Sequence, residues 1–139
     1  LRRTAFATRS VGIASSPTRR FSTRPEDRDA AYIWDILEAA KEVREFVAGM
    51  RFHDYQQDRM AQAAVERKLE IIGEAAKRLS DTFRDAHPEV PWRGMIAQRN
   101  VIAHEYGEIK QERVWVVAAE RIPELIRQLE PLLPPLPAQ

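Results

Sequence analysis

The chain has 139 residues, 44% hydrophobic and 31% charged, enough for one packed domain and too little for two, and its lack of Cys excludes disulfides, zinc–thiolate sites and thiol nucleophiles. Its net charge of +1 is unevenly spread: residues 1–24 hold six Arg and no acid, which leaves 16 basic against 21 acidic side chains, a balance of −5, over residues 25–139. A body of that sign is not a general nucleic-acid-coating surface, so any RNA contact has to be a small basic focus.

Residues 1–25, rich in Arg, Ser and Thr and with Pro17 and Pro25, predict a disordered basic extension. The composition equally fits an organellar transit peptide or a translated stretch upstream of the start. Residues 26–133 are expected to form one helical domain and residues 134–139 a Pro-rich tail. No stretch approaches the roughly 18 uncharged apolar residues of a membrane span, so a cytoplasmic protein is expected.

From Asp27 the apolar residues take up helical spacing. Ile33, Leu37, Ala40 and Val47, with Tyr32, Ile36, Val43, Phe46 and Met50 beside them, form a wide stripe that predicts a helix over about 28–49 with more than one neighbour. Gly49 is its stop signal. A second helix is expected over about 55–79, with Asp54 as N-cap and Val65, Leu69, Ile72, Ala76 and Leu79 on its inner face. Gly73 inside it costs roughly 1 kcal/mol of helix propensity relative to Ala, and its expected benefit is close approach of a neighbouring helix. Asp81 to Ala86 predict a helical turn, and the two prolines of His87-Pro88-Glu89-Val90-Pro91 a breaker. Pro91 suits the first turn of a helix running from Trp92 to about Tyr106 and stopped by Gly107. A last helix is expected over about 110–132, with Pro123 kinking or breaking it. The fold class is therefore all-α: an antiparallel four-helix bundle with an additional short helix.

The segment that can carry chemistry is Arg99-Asn100-Val101-Ile102-Ala103-His104-Glu105-Tyr106. At about 100° per residue, Asn100 and His104 share a helix face, Arg99 and Tyr106 lie about 20° apart, and Arg99 and His104 about 140° apart. Arg99 and His104 therefore meet only at a frayed helix end or against a second copy of the segment. A guanidinium can bind a phosphate bidentately and stabilise charge developing on phosphorus. A His can take a proton from a 2′-hydroxyl or give one to the leaving oxygen. Asn100 could set the tautomer of His104 or donate to a phosphate oxygen. The residues alone also have a bland account: Arg99 in an ion pair with Glu105 or with an acid on a neighbouring helix, His104 as a helix C-terminal residue, Tyr106 as an aromatic closing the bundle. Glu66, Glu70 and Glu74, four apart, are expected to be a solvated acidic face partly paired with Lys77 or Arg78 rather than a metal site. His53 and His87 are expected at the surface, and Trp92 and Trp115 in the core or an interface.

The segment resembles the Arg-(four residues)-His-x-Tyr signature of HepT-like toxins of the HEPN superfamily, satisfied by Arg99, His104 and Tyr106 with Asn100 after the Arg. Residues 65–79 resemble the second-helix block of that family and residues 91–96 its lead-in to the motif. Trp115 and Pro123 stand where its last helix often has them. The similarity covers roughly residues 27–133. It implies a HEPN fold, a homodimer with two motifs facing across the seam, and a metal-independent RNase of a type VII toxin–antitoxin system acting on tRNA or mRNA. No cofactor or metal is implied. Arg99, His104 and Asn100 would be the catalytic set. The implied partner is a minimal nucleotidyltransferase antitoxin that can attach AMP to the motif tyrosine, here Tyr106. A phosphate ester there would add negative charge beside Arg99 and block a phosphate pocket. The alternative is a non-catalytic helical module that binds the nucleotidyltransferase or a nucleotide. The basic extension and Gly107 depart from the family pattern.

Overall fold

The structure is a computed structural model and describes residues 25–104 and 110–133. Its regular elements are helical: α1 (Pro25–Phe46), α2 (Phe52–Gln57), α3 (Arg59–Arg78), α4 (Asp81–Ala86), α5 (Trp92–His104), α6 (Gln111–Val116), a π-helical turn (Val117–Arg121), α7 (Ile122–Leu129) and a 3-10 turn (Glu130–Leu132). The basic extension up to Arg24, Tyr106, Gly107 and the tail from Pro134 lie outside the described residues.

The packing order follows from the apolar faces. α1 lays Ile33, Ile36, Leu37, Ala40 and Val43 into the core and touches both α3 and α7, which is why its stripe is wide. α3 buries Val65, Leu69, Ile72, Ala76 and Leu79 between α1 and α5. α7 contributes Ile122, Leu125, Ile126 and Leu129. This is the expected all-α bundle, with the order α5, α3, α1, α7 across it. The described helices include none long and apolar enough to cross a membrane.

The expected second helix is two helices. Asp54 caps neither end of the long one; it sits in the first turn of α2 and its Oδ2 accepts from the Arg51 N–H at 2.9 Å. The break falls at Asp58, whose extended backbone lets its Oδ1 accept from the Ala61 N–H at 3.0 Å and start α3. Gln62 seals the junction by donating to the carbonyl of Gln56 and to that of Tyr55, which also accepts from the Asp58 N–H. Gly49, at φ +76°, ends the turn after α1 as expected.

Two further joints position the site. Buried Asp29 of α1 accepts from the backbone N–H of Ser80 at 2.8 Å and from its hydroxyl at 2.7 Å, while the Ser80 Oγ accepts from Phe83 N–H and caps α4. That relay ties the end of α3 to the start of α1. Trp92 then anchors α5: its ring is buried and its indole N–H donates to the His87 carbonyl at 2.9 Å. Pro91 stands just ahead of the helix, not in its first turn, and its carbonyl accepts from Met95 N–H. His87, expected at the surface, is half-buried against the Phe83 ring, 4.6 Å between centroids.

Pro123 neither breaks nor ends the last helix. The residues before it widen into the π turn Val117–Arg121, so the Ile122 N–H reaches back to the Val117 carbonyl and the helix continues. A proline in a helix removes a hydrogen bond and clashes with the carbonyl four residues back, and a wider turn relieves both.

Candidate active site

Arg99 lies on α5 at its closest approach to α3. A Cβ built on Gly73 would stand 2.2 Å from the Arg99 Cβ and 2.7 Å from the Met95 carbonyl oxygen, distances no side chain tolerates. The two helices can pass this closely only because residue 73 is Gly, which offsets its poor helix propensity. The expected role of Gly73 is thereby met, and the residue it admits is the motif arginine.

The guanidinium is held at its tip. Arg99 Nη2 is 3.1 Å from Glu74 Oε1, and Nη1 donates to Asn100 Oδ1 at 3.0 Å. The Arg99 side chain is 23% exposed, and among the described residues Glu74 and Asn100 are its polar side-chain partners. Glu74 also pairs with Arg78 at 3.4 Å, so the cluster of two cations and one anion keeps a net positive charge. Of the two partners expected for Arg99 from the residues alone, the acid on a neighbouring helix is present as Glu74, and Glu105 lies outside the described residues. Asn100 is exposed and turns its carbonyl oxygen to Arg99.

His104 is the last residue of α5, five positions beyond Arg99 on an uninterrupted helix, which puts their Cα positions about 140° apart around its axis. Its backbone is described and its side chain is not. Tyr106 lies outside the described residues. The structure thus brings Arg99 and Asn100 together.

The acidic face of α3 is less idle than its spacing suggests. Glu70 pairs with Arg67 of its own helix, but Glu74 reaches Arg99 and Glu66 Oε2 accepts from Gln111 Nε2 at 2.7 Å. One helix therefore grips the chain on both sides of residues 105–109. Gly73 marks in the sequence a close approach of helices but not that Glu74 meets the arginine there, and nothing in the sequence marks the contact to Gln111. Near Glu66, Tyr55 is fully buried against Trp115, with centroids 5.3 Å apart. Burial, with the charge of Glu66 adding, pushes the Tyr55 hydroxyl well above the ordinary phenol range.

An apolar groove of about 310 Å³ runs beside α5, between Met95 and Gln98 on one side and Val117, Ile122 and Leu125 on the other, with Leu69 and Ile72 of α3 lining it too. Arg121 is its one cation among the described residues, and Arg99 takes no part in it. Glu89 and Glu124 also line the groove, and among the described residues no histidine does.

Residues 36–132 match the family described as "Ribonuclease HepT-like". A protein of Methanocaldococcus jannaschii named "Putative RNase MJ0127" is 36% identical over 109 residues, spanning 78% of this chain and 90% of that protein. "Probable ribonuclease HepT" of Thermococcus cleftensis is 40% identical over 101 residues, 73% of this chain and 92% of that one. No solved structure gives a significant match. With its all-helical fold and an Arg-Asn pair gripped from α3, the chain belongs to the ribonuclease HepT-like family of HEPN ribonucleases, a family of RNA endonucleases.

Proposed function

We propose that this protein is a metal-independent endoribonuclease, the toxin of a type VII toxin–antitoxin pair, which cleaves tRNA or mRNA at a composite site across a homodimer. The observation that carries the reading is the guanidinium of Arg99, part-buried and oriented by two acceptors, in a chain of a ribonuclease family. In this reading the 2′-hydroxyl of the RNA attacks the adjacent phosphorus. The O2′–P bond forms, the P–O5′ bond breaks, and a 2′,3′-cyclic phosphate and a 5′-hydroxyl result. Arg99 stabilises the charge on the phosphorane oxygens. His104 takes the 2′-hydroxyl proton or returns one to the 5′-oxygen. Asn100 acts by holding Arg99. Tyr106 is the acceptor for AMP from a minimal nucleotidyltransferase antitoxin, and the added phosphate would occupy the charge that Arg99 offers to RNA.

The test is cleavage of total RNA by the purified, unmodified protein in excess EDTA, with end analysis of the products. Cyclic phosphate ends, and loss of at least about a hundredfold in kcat/KM in both Arg99→Ala and His104→Ala, are expected. Intact RNA with wild-type protein free of AMP sinks the reading. It would leave the second one, a non-catalytic module that binds the nucleotidyltransferase or a nucleotide, which the −5 balance of residues 25–139 favours.

A further inference from the structure

We propose that Glu74 is the positioning residue of Arg99: it fixes the guanidinium for the transition state at the expense of affinity for RNA. The inference rests on the ribonuclease reading above and adds a residue to it.

Three observations converge on the same side chain. First, Glu74 Oε1 is 3.1 Å from Arg99 Nη2, across two helices rather than along one. Second, the backbone beneath is in close contact across the two helices. Gly73 lets the Arg99 Cβ sit where a Cβ of its own would be, so the stem of Arg99 is set by residue 73 and its tip by residue 74. Third, Arg99 is 23% exposed, whereas the arginines in the intrahelical pairs with Glu70 and Glu74, Arg67 and Arg78, are 70% and 60% exposed. Those two lie largely in solvent, and Arg99 is more enclosed.

An ion pair that water still reaches contributes little to folding, because water screens it. Its consequence is geometric. Held by Glu74 and Asn100, the fork loses rotational freedom before RNA arrives, so less has to be lost in the transition state. The carboxylate also opposes the approach of a phosphate, and Arg78 on the same carboxylate offsets that opposition only in part. Removing the charge should therefore strengthen RNA binding and slow the reaction. A residue needed only for folding would not split the two constants in that way.

The experiment compares wild type, Glu74→Gln and Glu74→Ala for kcat and KM on RNA. The same variants, alone and with Arg99→Ala, are compared for Kd on a mixed-sequence 2′-O-methyl RNA oligonucleotide, which lacks the attacking hydroxyl. Expected are a KM and Kd about two- to fivefold lower in both Glu74 variants, and a kcat lower by about tenfold or more. Gln keeps an oxygen acceptor, so it should retain more kcat than Ala. In the Arg99→Ala background both Glu74 substitutions should leave Kd unchanged. Glu70→Gln, which loosens only Arg67, should behave as wild type. Unchanged kcat, a tighter Kd that persists without Arg99, or losses that merely follow a lower Tm would each overturn the proposal. If wild-type protein cleaves no RNA, the ribonuclease reading falls by itself. The oligonucleotide still decides this one: tightening that depends on Arg99 supports it, and no tightening or no binding overturns it.

Discussion

At Gly73 two physical costs oppose each other. An alanine there would gain about 1 kcal/mol of helix propensity. Its methyl carbon would meet the Arg99 Cβ at 2.2 Å and a backbone oxygen at 2.7 Å, and neither is the flexible end of a side chain. Overpacking of this kind typically costs about 1–3 kcal/mol, since helices rather than rotamers must move. Gly73→Ala is expected to lower stability by about 1–2 kcal/mol net in denaturant melts. It should also lower RNA cleavage by at least about tenfold in protein shown to be folded, because α5 can retreat only by carrying Arg99 away from Glu74. A Gly73→Ala protein with wild-type stability and activity would show that the close approach is dispensable.

Among the elements, the buried faces were legible and the joints were not. Val65, Leu69, Ile72, Ala76 and Leu79 repeat along α3 and are all buried, because a helical period in apolar residues is a direct record of the face turned inward. The split at Asp58 was hidden, because Asp54 and Asp58 are equally good capping residues. What chooses between them is Gln62, seven residues from Tyr55 and able to satisfy the end of α2, and such pairing has no local signal. The π turn at Val117–Arg121 was invisible for a related reason: Pro123 signals a defect in the helix but not how neighbouring helices absorb it. The site followed the same rule. The motif residues on α5 were found by their spacing, and Glu74, which comes from another element, was read as part of a solvated face. The joint of α2, α3 and α6 allows a test by pH. There the Tyr55 hydroxyl is buried and has no hydrogen-bond partner among the described residues. Its folded pKa is raised, so the stability it contributes is complete below the unfolded value of about 10 and is lost as pH rises above it. Tyr55→Phe should leave stability at pH 7 unchanged or raise it by about 1 kcal/mol. Between about pH 10 and 11.5 the wild-type Tm should fall more steeply than that of the variant. A loss of more than about 1 kcal/mol at neutral pH would mean that the hydroxyl has a partner after all.

For the molecule as a whole, the decisive feature is where α5 puts its two motif residues. Arg99 faces α3 and is held there, while His104 closes the same unbroken helix five residues on. No break in the helix lies between them, so the backbone of one protomer keeps them on different sides of the helix. A twofold pairing that sets the C-terminal end of one α5 beside Arg99 of the other resolves this, and the composite site proposed above takes that form. It has a consequence that a self-contained site cannot share. Arg99→Ala and His104→Ala proteins, each inactive alone, retain between them one Arg99 and one His104 on different protomers. Mixed after mild denaturation and refolding, or co-expressed, they should recover up to about a quarter of wild-type RNA cleavage: half of the dimers are mixed in a random mixture, each with one of its two sites intact. Light scattering on the mixture should give twice the chain mass. If the mixture forms dimers and stays inactive, arginine and histidine must act from the same chain, and α5 would have to unwind near residue 104 to bring them together.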